Sequence, residues 1–132
     1  MIEFADDEVV PIKELVLLYE SVGWLLYAAD PDALARAVDR SSIVITVRDD
    51  DGELVGLARA LTDEVSVLFL QEVLVRPERQ REGVGSDLVR RCLAVHPIIG
   101  RVIANTAGED FQTAFAKTLG FTELSTGLVL ER

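Results

Sequence analysis

The sequence predicts an α/β fold of the α+β kind: a mixed, mostly antiparallel central sheet that carries one parallel strand pair, with helices on its flanks. Three observations predict it. Residues 42–47 alternate and are rich in β-branched side chains, and the turn Asp50-Asp51-Gly52 returns the chain through residues 53–60. A further strand at 65–75, after the turn Thr62-Asp63-Glu64, completes an antiparallel meander. Beyond it a strand, a helix and another strand follow in succession, and such a crossing lays its two strands parallel.

Taken in order, residues 2–4 form a short first strand. Pro11 opens a helix in which Ile12, Leu15, Val16, Tyr19 and Val22 recur at helical spacing, and Gly23 ends it. Leu17 and Leu18 widen its apolar surface beyond one stripe, so this helix is well buried or meets a partner. Asp30 followed by Pro31 is an N-cap and first-position pair that starts a second helix through Leu34, Ala35 and Val38. The connector Gly23-Trp24-Leu25-Leu26-Tyr27-Ala28-Ala29 between these helices holds the only tryptophan. In the strand at 65–75, strict alternation puts Leu68, Leu70, Glu72 and Leu74 on one face and Phe69, Gln71, Val73 and Val75 on the other. Glu72 is thus an acid in an apolar row, where a carboxylate is costly unless hydrated, paired or used. His96-Pro97 closes the next helix and residues 101–105 read as the following strand. Residues 109–119 form the last helix, with Phe111, Ala114, Phe115, Thr118 and Leu119 on one face. Gly120 caps it, and a final β segment runs from Phe121 to Gly127-Leu128-Val129-Leu130.

With 132 residues, 49% of them hydrophobic and 27% charged, the chain is one globular domain spanning residues 1–132. One cysteine allows no internal disulfide, and with His96 the only histidine no Cys/His metal site can be assembled. The first eight residues are acidic where a signal peptide would be basic, and no apolar run is long enough to span a membrane, so a cytoplasmic protein is expected. The net charge of −10 disfavours nucleic acid as a partner. Its distribution is uneven: residues 1–64 hold 15 Asp+Glu against 5 Lys+Arg, whereas residues 65–132 hold 8 of each. The acidic half can attract a cation, and the other half does not repel an anion.

The chain is organised around Val73-Leu74-Val75-Arg76-Pro77-Glu78-Arg79-Gln80-Arg81-Glu82-Gly83-Val84-Gly85-Ser86. A strand stopped by proline and followed by a helix opened by glycines leaves backbone N–H groups unpaired at the helix N-terminus. Gly83 and Gly85 lack the Cβ atoms that would hold a ligand away. The helix dipole adds partial positive charge there, so phosphate is the expected guest. The spacing contains no G-x-x-x-x-G-K-[S/T] and no third glycine three residues after Gly85, which excludes a P-loop and a dinucleotide fingerprint.

The spacing Gln80-x-x-Gly83-x-Gly85 after a strand ending Leu74-Val75-x-Pro77 resembles the acyl-CoA signature of GNAT-type N-acyltransferases. That resemblance implies acetyl-CoA as co-substrate, without a metal. It implies a splayed strand pair, with pantetheine amides pairing with the backbone of Val73, Leu74 and Val75. It further implies a pyrophosphate held by the turn Gln80, Arg81, Glu82, Gly83, Val84, Gly85 and Ser86. Trp24 and Tyr27 are placed by it over the acceptor site, where an aromatic face can hold a cationic amine. A homodimer is the family-level expectation. Ser21-Val22-Gly23-Trp24 with Asp30-Pro31 is also similar to a subgroup of small GNAT proteins that includes plant plastid amine and lysine acetyltransferases. The family's last helix often reads N-x-x-A-x-x-x-Y-x-x-x-G-F, and here Glu109, Gln112 and Ala116 stand at the asparagine, alanine and tyrosine positions before Gly120-Phe121.

That tyrosine is commonly assigned in the family as the acid that protonates the departing thiolate, a role Ala116 cannot take. Water, Tyr27 or Tyr19 then supplies the proton, or the chain does not acetylate. The expected chemistry is direct attack of a primary amine on the thioester. Glu72 is the candidate base, and a backbone N–H near Leu74 stabilises the oxyanion. A carboxylate that orders substrate or packs against an arginine is an equal reading of Glu72. Cys92, on the apolar face of its helix, reads as core, and His96 as a loop residue. Two alternatives stand beside the enzyme: a non-catalytic acyl-CoA-binding or sensing module, and a small dimerising interaction domain.

Overall fold

The computed structural model describes residues 2–105, 114, 116–124 and 126–132. One five-stranded sheet runs in the order β1 (Glu3–Asp6), β2 (Ile43–Arg48), β3 (Leu54–Thr62), β4 (Leu68–Val75) and β5 (Val102–Ala104). The first three pairings are antiparallel and the last is parallel, as the meander and the crossover require. The helices are α1 (Ile12–Ser21), α2 (Leu25–Ala28), α3 (Pro31–Asp39) and α4 (Val84–Val95).

Two apolar cores sandwich the sheet. On one face α4 lays Val84, Leu88, Val89 and Cys92 against Ile43, Ile45, Val47, Ala58, Ala60, Leu68 and Leu70. On the other, α1 and α3 lay Leu15, Leu18, Tyr19, Leu34 and Val38 against Val44, Leu54, Leu57 and Leu74. Residues 43–47 of β2 are therefore buried on both faces. Cys92 is core, as its helix position implied, and burial with the nearby Asp6 charge pushes its thiol up to about 12, which leaves it inert near neutral pH.

Local chemistry sets the element ends. Asp30 caps α3, its Oδ1 accepting from the Ala33 N–H at 3.2 Å, with Pro31 at the first helical position. Gly120 follows the helical residues 116–119 at φ +81°, the left-handed stop expected of it.

Several expectations shift. The first strand lies at Glu3–Asp6 rather than 2–4. The buried stripe of α1 runs through Leu15, Leu18 and Tyr19, and Ile12 is exposed, because the helix enters from a surface loop at Val9 and Pro11. A short helix, α2, occupies the connector that holds Trp24 and Tyr27. β4 begins at Leu68, not residue 65, because Asp63 captures the N–H groups of Val65, Ser66 and Val67 and holds them in a turn. No strand forms in the described residues of 121–132, where Leu128, Val129 and Leu130 stand exposed with no neighbouring strand. The expected face of the last helix falls largely outside the described residues, as do Glu109 and Gln112; Ala114 and Thr118 are exposed, and Leu119 packs on the α4 core.

The most consequential difference lies within β4. Arg59 pairs with Glu72 and Ala60 with Leu70, so one residue, Gln71, has no counterpart and the strand bulges. Strict alternation breaks there. Leu68 and Leu70 share the α4 face with Val73 and Val75, while Glu72 and Leu74 turn to the α1 face.

Close packing of α4 on the sheet depends on Gly56. A Cβ there would lie 2.8 Å from Val47 Cγ1, 3.0 Å from the Leu74 carbonyl oxygen and 3.2 Å from Leu88 Cδ1. Gly56→Ala is expected to lower unfolding stability by about 1–3 kcal/mol, read from urea denaturation midpoints at unchanged m-value.

Candidate functional site

The site begins where β4 and β5 part. Their register runs Leu68↔Val102, Phe69↔Ile103 and Leu70↔Ala104, and the Asn105 N–H donates to the Leu70 carbonyl at 3.0 Å. Beyond Leu70, among the described residues, β4 has no strand on that side, so residues 71–75 present an open backbone edge.

At the far end of that edge the chain turns through Pro77–Arg79 into the start of α4. Arg81 at φ +66° and Gly83 at φ +85° both lie in the left-handed region. Alternation of left- and right-handed residues turns successive N–H groups toward one concavity, the geometry of an anion nest. The N–H groups of residues 81–86 have no hydrogen-bond partner among the described residues; the first paired amide is that of Asp87, which donates to the Gly83 carbonyl at 3.0 Å. Space beside Gly83 is open to a Cβ-free approach.

The predicted turn residues divide by what they do here. Val84 is buried and anchors the helix in the core, whereas Gly85 and Ser86 are half-buried beside the open amides. Gln80 donates its Nε2 to the Val75 carbonyl at 2.9 Å and so pins the turn to the end of β4. Glu82 pairs with Arg79 at 3.1 Å, which masks its charge next to the nest, and Arg81 is exposed. Val73 and Leu74 lie on the open stretch of β4, Val73 leaning on the α4 core and Leu74 on the α1 core.

Beside the parting lies a cavity of about 340 Å³ lined by Gly23, Trp24, Leu25, Leu26, Tyr27, Gln71, Glu72 and Asn105. Trp24, Tyr27 and the buried Tyr19 form a triangle of tilted rings with centroids 5.7–6.1 Å apart. Trp24 thus serves both core and pocket, as it also packs on the α1 core. Glu72, 2% exposed, reaches the floor of this cavity from β4. The Tyr19 hydroxyl donates to its Oε1 at 2.6 Å, and the Arg59 Nε donates to the same oxygen at 2.6 Å. Its Oε2 is buried and has no partner among the described residues. Burial, reinforced by the Glu72 charge, pushes both the Tyr19 and the Tyr27 phenols upward, so both stay protonated across the neutral range.

Sequence reasoning did not identify Arg59, Gln71 or Asn105. Arg59 carried a usable signal: it interrupts Leu57-Ala58-x-Ala60-Leu61 in a strand otherwise apolar, and the next strand has Glu72 as its one acid. A buried arginine needs such a partner across the ladder. Ala116 is helical and exposed. A larger cavity, about 640 Å³, lies between the loop at residues 7–10, α1 and α3, and contains none of the predicted site residues.

The family model for the acetyltransferase (GNAT) family matches residues 10–121. No curated protein matches the chain. Among solved structures, an acetyltransferase of the GNAT family from Streptococcus pneumoniae TIGR4 is 29% identical, with a TM-score of 0.84 over 100% of this chain and 98% of that one. An acetyltransferase from Trypanosoma brucei is 18% identical with a TM-score of 0.77, each chain covered in full. Aminoglycoside N-acetyltransferase AAC(6')-Iy, solved in complex with CoA, is 14% identical with a TM-score of 0.75, covering 100% of this chain and 95% of its own; at these two identities the likeness is one of fold. With the nest, the parted strands and the matched span together, this chain belongs to the GNAT acetyltransferase family.

Proposed function

We propose that this chain moves an acetyl group from acetyl-CoA to a primary amine by direct transfer, with the open edge of β4 as the meeting place. The observation that carries the reading is the continuity of that edge, which has the unpaired amides of residues 81–86 at one end and the buried Glu72 Oε2 beside the other. The residues fit the ligand. Free N–H groups at the start of α4, turned inward by Arg81 and Gly83, suit a pyrophosphate, and the backbone of Val73 and Leu74 suits an amide-bearing arm laid on as an extra strand. When bound, acetyl-CoA supplies an activated thioester carbonyl.

The two substrates would approach from opposite faces of the sheet. The nest belongs to α4, whereas Glu72, Trp24 and Tyr27 belong to the side of α1 and α2, and the parting of β4 from β5 joins the two. In the transfer, a nitrogen–carbon bond forms and the carbon–sulfur bond breaks. Glu72 Oε2 receives the proton that the amine gives up, a backbone N–H near Leu74 meets the developing oxyanion, and the thiolate leaves with a proton from Tyr27 or solvent. Tyr27 takes the place of the helix tyrosine whose position Ala116 holds: it lines the cavity partly exposed, and burial and the Glu72 charge keep its phenol protonated, whereas Tyr19 is fully buried and bonded to Glu72. Exposed Leu25 and Leu26 at the cavity mouth would meet the acceptor's body.

Thiol release from acetyl-CoA with a panel of 2-phenylethylamine, spermidine, neamine and a lysine peptide tests the reading. Binding without turnover of any amine would leave a CoA-binding module. Three variants separate the parts. Gly83→Val forces a β-branched side chain to φ +85° and should weaken acetyl-CoA about tenfold by calorimetry, roughly 1.4 kcal/mol. Glu72→Gln should lower kcat about a hundredfold while sparing acetyl-CoA affinity, and unchanged turnover would remove it as the base. Tyr27→Phe should cost about tenfold in kcat, less than a full general acid is worth, because a thiolate is already a fair leaving group.

A further inference from the structure

Two donors converge on a single oxygen of Glu72. Arg59 Nε and the Tyr19 hydroxyl both lie 2.6 Å from Oε1, while Oε2 has no partner among the described residues. A carboxylate only 2% exposed would be better served by donors on both oxygens, since an unsatisfied buried acceptor costs free energy. Neither donor is free to move across. Arg59, itself 6% exposed, also donates its Nη1 to Ser41 Oγ at 3.3 Å, and that hydroxyl donates to the Ala37 carbonyl at 2.8 Å, so the guanidinium is moored to the C-terminal turn of α3. Tyr19 is fully buried, its ring held by Trp24 and Tyr27.

We propose that Arg59 and Tyr19 are positioning residues that fasten Glu72 by Oε1 and so leave Oε2, which has no donor among the described residues, as the hydrogen-bond acceptor for the amine substrate. This rests on the reading of Glu72 as the group that meets the acceptor. The anchoring also defines what is recognised. Arg59 balances the carboxylate charge, so what remains for a ligand is one directional acceptor on a residue that lines the same cavity as Trp24 and Tyr27. A primary amine suits this acceptor, having an N–H to give to Oε2, while an aromatic face beside it can hold the cation. The orientation is set before substrate arrives, so the nitrogen is met by a fixed oxygen rather than one that must rotate into place.

The test uses Tyr19→Phe and Arg59→Lys, each alone and combined with Glu72→Gln, assayed with whichever amine of the panel turns over fastest. Tyr19→Phe removes one donor and almost no volume. It should raise the acceptor KM about fivefold while acetyl-CoA affinity holds, with the melting temperature lower by a few degrees for the lost buried hydrogen bond. Arg59→Lys keeps the charge but loses the mooring and should do the same, with Arg59→Met losing more. In the Glu72→Gln background, Tyr19→Phe should have no further effect on the residual acceptor kinetics. An unchanged acceptor KM in Tyr19→Phe, a parallel loss of acetyl-CoA affinity, or an effect that persists undiminished in Glu72→Gln would each overturn the proposal. If the Arg59 variants do not fold, Tyr19→Phe decides it. Unchanged turnover in Glu72→Gln would fell the reading of Glu72 and this proposal with it, whereas impaired Glu72→Gln beside an unaffected Tyr19→Phe would fell the positioning role alone.

Discussion

One unmatched residue in the middle of a strand governs the site. If β4 kept strict alternation, a side chain in phase with Leu68 and Leu70 would face α4, and Glu72 would lie in the larger apolar core with no cation or hydroxyl to meet it. The bulge at Gln71 reverses the phase, so Glu72 arrives on the α1 face across from Arg59 and under Tyr19. The same extra residue falls just past Leu70, where the pairing with β5 ends among the described residues. The face on which the carboxylate is buried is thus the result of one local insertion, placed where the described β4–β5 pairing stops.

The ion pair that follows is costly to bury and hard to replace piecemeal. Removing two charges from water is repaid only with good geometry and further hydrogen bonds, and here the Arg59 guanidinium reaches both Glu72 and Ser41. Even so, Oε2 remains without a donor among the described residues. Replacing the pair with well-packed apolar residues would be neutral or stabilising by the usual balance, so stability alone gives weak reason for its presence. A directional acceptor at the floor of an aromatic-walled cavity is a reason of a different kind, since buried, incompletely satisfied polar groups concentrate at sites where chemistry is done.

Most of the architecture was legible because it rests on local rules. The hairpin turn at Gly52, the Asp30-Pro31 helix start, the glycine-opened α4 and the parallel strand pair all follow from residue chemistry within a few positions. The turn at residues 80–86 was legible for the same reason, as was Glu72 as an acid out of place. What sequence pattern missed depends on register. Alternation counts residues along one strand and has no means of registering an unmatched Gln71, so the faces of Leu68 and Leu70 came out opposite to those of Val73 and Val75. Arg59 was missed because its meaning lies in what stands opposite, 13 residues on. The late start of β4 was hidden by a side chain, Asp63, that competes with the ladder for the same N–H groups. The final β segment has strand-like residues but no adjacent edge among the described residues, and propensity without a partner does not make a strand.

The uneven charge of the chain acquires a structural meaning once the faces are known. All of the acidic excess lies in residues 1–64, the half that supplies α1, α2 and α3 together with β1, β2, β3 and the turns between them. The nest at the start of α4 belongs to the balanced half, where Arg79 neutralises Glu82 and Arg81 stands exposed beside open amides. In the proposed transfer, the acidic half would draw an amine cation and the balanced half would not repel a pyrophosphate anion. At Glu72 geometry would take over: Arg59 offsets the carboxylate charge, and in the proposed reading one oriented oxygen would decide where an amine nitrogen sits. In the proposed transfer, net charge would act on encounter and the moored carboxylate on alignment, the quantity on which direct reaction between two substrates depends most steeply.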